Sequence, residues 1–436
     1  MLKLSNSWLS SLSDCLHIPA ALVRRRGAVS TGRRALSRRR SQRAVGTDAS
    51  ALIELLEPRV VLSAAPTQWL QRGISGGGVF SQPSLSPHNP NELYVGTDMS
   101  QMFHSKDAGQ SWDFYNADEF VVSNHVNGVQ FTSDPQVLFA LDQLNISMPT
   151  PLRSTDGGAS WDRPGSASFA SNWPTGERAW RIFADPGSLG RLIVATQDEI
   201  YLSTDAGTTF TSAYAYSGTV NASQKLGLHV GGAFFDGSTI YVGTNAGLLV
   251  STNGGMFQAA AVGGIPAGDG IFAFAGASDG TTTRLWAVTH SVSKISTPSL
   301  PSGNYFGYQN IYSLTVGDPS WTVSSTGLPA AIQLTQITMA GNDIDTVYTG
   351  GRETTGGILS MYVGKYSSTT GNWSQAFTLQ GAGSNVTTGF VGSGGHIPGS
   401  VTIEGLSVAP NDSSRVIVTD GWVAHTSVDG GAQWQQ

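Results

Sequence analysis

Ser105-Lys-Asp107-Ala-Gly109-Gln-Ser111-Trp112 returns as Ser154-Thr-Asp156-Gly-Gly158-Ala-Ser160-Trp161, as Ser203-Thr-Asp205-Ala-Gly207-Thr-Thr209-Phe210, and again as Ser427-Val-Asp429-Gly-Gly431-Ala-Gln433-Trp434. The first three copies start 154−105 = 49 and 203−154 = 49 residues apart, and an eroded copy, Ser251-Thr-Asn253-Gly-Gly255-Met-Phe257, follows 251−203 = 48 later. A constant period of this length is the mark of one small sheet per repeat. Turn chemistry explains the composition. Asp accepts backbone N–H bonds two or so residues on, Gly supplies a φ > 0 position, Ser braces the loop, and the closing aromatic drops onto the sheet as an apolar plug.

Working outward, each copy follows a β-rich run that closes in small residues. The runs are Leu93–Thr97, Val137–Ala140, Leu192–Thr196, Ile240–Thr244, Leu285–Val288, Val347–Gly350 and Val416–Thr419. The fifth and sixth lack a clean phrase, but Tyr312 to Trp321 and Tyr366 to Trp373 stand where it is expected. Upstream turns such as Ser86-Pro-His-Asn-Pro90 and Ala409-Pro-Asn-Asp412 separate the strands. The pattern predicts an all-β fold, a seven-bladed β-propeller over residues 66–436, with six blades as the alternative count. The final phrase is followed by two residues, Gln435 and Gln436, so an N-terminal strand closing the last blade and a longer parent protein are both open. Thr378 to Ser400, rich in Gly, Ser and Thr and without period, reads as a mouth flap or a flexible linker.

Composition narrows the chemistry. With Gly 54 and 12% charged residues, the 436-residue chain suits a turn-rich β protein. Charge is divided unequally. Before Ala65 there are 11 Lys+Arg and 4 Asp+Glu, leaving 24−11 = 13 basic and 30−4 = 26 acidic residues for the rest. An acidic body excludes nucleic acid as an expected partner. The one cysteine, Cys15, lies in the basic stretch, so the body has no disulfide, and the eight histidines are scattered. Neither a metal nor another cofactor is expected. No run approaches the roughly 18 apolar residues of a membrane helix. Residues 1–65 read as an export leader, disordered or removed, and the chain as extracellular or cell-surface; a basic arm that binds nucleic acid is the alternative for this stretch.

Three resemblances follow from these residues. The recurring phrase resembles the Asp-box of β-propeller hairpins, which implies that its Asp residues are structural. Leu56-Glu57-Pro58-Arg59-Val60-Val61-Leu62 resembles the Leu-Glu-Pro-Arg-x-Leu-Leu leader of planctomycete exported proteins. Trp69, Ser75-Gly76-Gly77-Gly78-Val79 and Leu93-Tyr94-Val95-Gly96-Thr97-Asp98, then Gly176-Glu177-Arg178, then Ile403-Glu404-x-Leu406 and Val418-Thr-Asp420-Gly421, are similar to segments of the xyloglucanases of glycoside hydrolase family 74.

That last resemblance implies inverting hydrolysis of β-1,4-glucan, with Asp98 as general base and Asp420 as general acid, and Glu177 and Arg178 at the substrate. An inverting pair leaves about 6.5–9.5 Å between its carboxyl groups for water. Each Asp follows an equivalent strand, one early and one late in the chain, and closure of a ring would make their blades neighbours. Trp173 and Trp422, beside loop segments, are the candidate sugar contacts among the aromatics, which also include Tyr305, Phe306 and Tyr308 in a loop. Two departures stand out. The family follows its base with Gly-Gly, where Met99-Ser100 stand here, and it sets two propellers face to face, so a second propeller domain or subunit is an expected partner beside the polysaccharide. The rival reading is a non-catalytic binding module, since sortilin-like receptors and photosystem-assembly factors resemble this chain in phrase spacing. A sialidase would need an early Arg motif that Trp180-Arg181-Ile182-Phe183 only faintly echoes.

Overall fold

The computed structural model describes residues 79–97, 102–115, 128–142, 149–165, 168–221, 223–297, 305–355, 358–379, 383–387, 403–421 and 423–436. The leader, the segment from Trp69 to Gly78, Asp98, Trp422 and most of the Thr378 to Ser400 segment lie outside the described residues.

Seven antiparallel sheets follow one another along the chain. The first comprises β1 (Phe80–Leu85), β2 (Leu93–Thr97), β3 (Met102–Ser105) and β4 (Asp113–Phe114); the second β5 (Gln130–Phe131), β6 (Leu138–Asp142) and β7 (Thr150–Ser154). The third comprises β8 (Arg181–Ala184), β9 (Leu192–Ala195), β10 (Glu199–Ser203) and β11 (Thr211–Ala215); the fourth β12 (Val230–Asp236), β13 (Thr239–Thr244), β14 (Gly247–Thr252) and β15 (Gln258–Ala259). The fifth comprises β16 (Asp269–Ser278), β17 (Thr283–Ser291), β18 (Tyr308–Thr315) and β19 (Thr322–Val323); the sixth β20 (Ile332–Thr338), β21 (Thr346–Thr355), β22 (Ile358–Ser367) and β23 (Asn372–Gln375). The seventh comprises β24 (Gly405–Ala409), β25 (Asp412–Thr419) and β26 (Ala424–Ser427). In the two three-stranded blades the outer position is a single bridge, Arg153 to Asp162 and Thr426 to Gln435.

The ring is closed. Seven buried apolar clusters each straddle one junction between adjacent blades, including one that joins Phe80, Val95 and Trp112 of the first blade to Ala409 and Ile417 of the seventh. Polar contacts at that junction add to it: Arg415 donates to the carbonyls of Ser86 and Pro90, and Asn411 Nδ2 to that of Pro87 at 2.8 Å. Sandwiching between neighbours also explains why β2, β6 and β9 are buried along their whole length rather than in alternate residues. Among the described residues, no helix is long and apolar enough to cross a membrane.

The recurring phrase forms the turn its composition predicts. In the third blade Ser203 Oγ donates to Asp205 Oδ1 at 2.8 Å and accepts the Gly207 N–H at 2.9 Å, while Asp205 takes the N–H and hydroxyl of Thr209 at 2.9 and 2.7 Å. The turns at Asp107, Asp156 and Asp429 repeat the bonds to the Ser and to the residue four positions on. Gly207 has φ +78°, and a Cβ there would meet Phe169, so only glycine fits. The eroded fifth and sixth blades keep the plug: Trp321 and Trp373 are buried, and Trp373 Nε1 donates to the Ser324 carbonyl at 2.7 Å. Within the long segment after Thr378, Asn385 and Thr387 hydrogen-bond the backbone beside the last of these turns, at Gly431 and Trp434.

Candidate functional site

Alternating strand direction gives the ring two distinct faces. Turns joining first to second and third to fourth strands, which include the recurring phrase, share one face. Second-to-third turns and blade-to-blade connections share the other, the mouth. On the phrase-bearing face, Phe183, Phe234, Phe274 and Met339, with Asp185 and Arg191, line a cavity of about 740 Å³. Asp420, with Glu177 and Arg178, belongs to mouth-face connections.

Asp420 opens the β25–β26 turn. Its N–H donates to the Val423 carbonyl at 3.1 Å, its Oδ1 accepts the Val423 N–H at 2.8 Å, and its Oδ2 lies 3.3 Å from His425 Nε2. Neither side chain of this Asp–His pair has exposed surface. The carboxylate therefore caps its own turn and points inward, and presenting it to a sugar requires the turn to reorient. Strand register also separates it from Asp98. Val416 pairs with Ser427 as Leu93 pairs with Ser105, so Asp420 matches Thr97, and Asp98 lies one residue further on. The acid at the same register in the second blade is Asp142, since Leu138 pairs with Ser154. It is buried and held by Arg163 Nε at 2.5 Å. Sequence reading missed it because the quoted run was ended at Ala140, two residues short.

Glu177 and Arg178, half-buried, lie in the connection leading into β8. Burial raises the Glu177 pKa, and the charges of Asp198 and Glu199 in the β9–β10 turn raise it further. A raised carboxyl pKa is the direction a general acid needs. Trp173, expected at the substrate, is half-buried, its ring 5.2 Å from Tyr201 and 5.3 Å from Phe210, the plug of the third blade. Its ring thus packs on the third blade.

Deeper in the channel, Phe272 stacks between His229 and His290, with centroids at 5.0 and 3.9 Å. Burial and the nearby Arg181 charge push His229 down to about 3, so it is neutral, and its Nε2 meets the Phe272 carbonyl at 2.7 Å. Burial alone pushes Arg181 down to about 10.

The described ends of the insertion between β17 and β18, residues 292–297 and 305–307, make long-range contacts. On one side Thr297 accepts from Gln197 Nε2 at 3.1 Å and donates its N–H to the Lys225 carbonyl at 2.6 Å, reaching the third blade and its connection to the fourth. On the other, buried Tyr305 donates from its hydroxyl to the Ile403 carbonyl at 3.2 Å, at the entrance to the seventh blade. The Arg352 guanidinium of β21 lies 4.2 Å from the Tyr305 ring centroid and 4.8 Å from that of Phe306.

Against known proteins, no family model matches the chain, and a search of curated proteins finds no match. Solved structures do match. The GH74 enzyme of Niastella koreensis aligns over 84% of this chain and 55% of its own, with TM-score 0.55 and 18% identity. The GH74 xyloglucanase of Xanthomonas campestris aligns over the same shares, with TM-score 0.56 and 16% identity. An ancestral GH74 enzyme aligns over 85% and 48%, with TM-score 0.60 and 17% identity. This chain thus spans about half the length of the enzymes it resembles, and at these identities the likeness is one of fold.

Proposed function

We propose that the chain is an exported, carbohydrate-active propeller that hydrolyses β-1,4-glucan backbones of the xyloglucan type with inversion. Asp98 is its base and Asp420 its acid, and Glu177 and Arg178 contact the substrate. Ring closure carries this reading: the clusters between the first and seventh blades bring the ends of β2 and β25, far apart in sequence, onto neighbouring blades. Two carboxyl groups on opposite sides of a sugar bond are what such hydrolysis needs. Met99 and Ser100 add side chains where the family has Gly-Gly, and a second propeller, in cis or in a partner subunit, would supply the other wall of a cleft. Trp422 is assigned to the substrate with them.

The buried, turn-capping state of Asp420 favours a second reading, a glycan-binding module without turnover. Purified protein is incubated with xyloglucan, mixed-linkage β-glucan and cello-oligosaccharides, and new reducing ends are counted. The hydrolase reading expects activity lost in Asp98→Asn and in Asp420→Asn at unchanged melting temperature. If Asp420→Asn lowers the melting temperature but spares turnover, while Glu177→Gln abolishes it, the acid is Glu177. Glycan binding without reducing ends leaves the module. Sequencing the N-terminus of secreted protein tests removal of the leader near Ala64 or Ala65.

A further inference from the structure

We infer that Phe306, backed by Arg352, is an aromatic platform that stacks on the face of a pyranose ring entering the mouth, a subsite that rests on the carbohydrate reading above. Phe306 is 79% exposed, the largest exposure among the large hydrophobic side chains of the described residues. One face of its ring is taken by the Arg352 guanidinium at 4.8 Å, leaving the opposite face to solvent. Arg352 is itself fixed: its Nε donates to Gln333 Oε1 at 2.8 Å, and it lies over Tyr305, whose hydroxyl is tied to the Ile403 carbonyl. A ring backed in this way loses little freedom when a ligand settles on it, which lowers the entropic cost of binding.

The surroundings select the ligand class. A flat apolar ring face of this kind suits the apolar C–H face of a pyranose. Half-buried Glu404 is near enough to Tyr305 for its charge to add to the burial that raises the Tyr305 pKa. A single aromatic ring is too small an apolar area for a lipid surface, and the acidic body disfavours phosphate-rich ligands.

The test is calorimetric titration of full-length Asp98→Asn protein with cello-oligosaccharides and xyloglucan oligosaccharides, repeated with Phe306→Ala and Phe306→Trp added. Phe306→Ala is expected to weaken binding about five- to tenfold, with Phe306→Trp restoring it and the melting temperature unchanged in both. Equal affinity of Phe306→Ala and its parent overturns the platform, as does absence of binding to any of these sugars. The two readings fail separately. Binding that depends on Phe306 in a protein producing no reducing ends keeps the platform and removes the hydrolase. Turnover with kcat/KM unchanged by Phe306→Ala does the reverse.

Discussion

The first, second, third and seventh blades differ from the fifth and sixth in how their outer hairpins are held. In the former, the two middle strands are short: β2 pairs with β3, and β25 with β26, through four residue pairs each. The Asp turn then ties the far end with several further hydrogen bonds. In the sixth blade β21 and β22 pair through ten residues, and the turn after β22 is held by Thr370 and Gly371 N–H bonds to the Ser367 carbonyl in place of an Asp carboxylate within the turn. Ladder length replaces turn chemistry. What neither region gives up is the aromatic plug, Trp434 in one and Trp373 in the other, so the Asp serves the turn and the Trp serves the fold.

The largest effects should fall on that shared plug. Trp373→Ala and Trp434→Ala should each cost about 3–5 kcal/mol in denaturant unfolding, and a Trp373→Ala loss below 1 kcal/mol or so would separate the eroded blades from the rest. Next comes Ser203→Ala, which strands the Gly207 N–H in a buried turn and should cost about 1–3 kcal/mol. Asp318→Ala, in the turn of the eroded fifth blade, should stay within about 0.5 kcal/mol. A substantial loss there would show that the fifth blade hides a working turn.

The smallest effect is on pH dependence. At Asp107, Asp156 and Asp205 burial opposes ionisation but is outweighed by bonds from the turn, and at Asp429 the Gln433 N–H leads; all four pKa values are lowered. A carboxylate with a lowered folded pKa stabilises above its unfolded value, about 4, and loses that contribution as pH falls through the folded one. Chemical denaturation midpoints should therefore drop on acidification below about pH 4, and less steeply when the four Asp residues are replaced by Asn. Identical slopes would mean that the turns do not depend on charge.

Blade count and plugs were legible in the sequence because the first four copies recur every 48 to 49 residues and a Trp or Phe closes each turn, six to eight residues after a Ser, even where the Asp is gone. The mouth was less legible. Val418-Thr-Asp420 announces an acid at a strand end, but whether its carboxylate points out or back depends on His425 and Val423, and on a turn whose geometry no pattern specifies. Asp142 was missed for a related reason, since the register that aligns it with Asp420 is set by pairing to Ser154 across the hairpin. Phe306 stood out as one aromatic among three in a loop, but its exposure arises from Arg352 and Tyr305, brought to it by the sixth and fifth blades.

The bond between Tyr305 and Ile403, set against that between Thr297 and Gln197, places both anchors of one insertion on widely separated blades. Eight peptide links join Thr297 to Tyr305, a reach of at most about 29 Å when fully extended. Each anchor thus couples the fifth blade to one beyond its immediate neighbours, Thr297 to the third and Tyr305 to the segment entering the seventh.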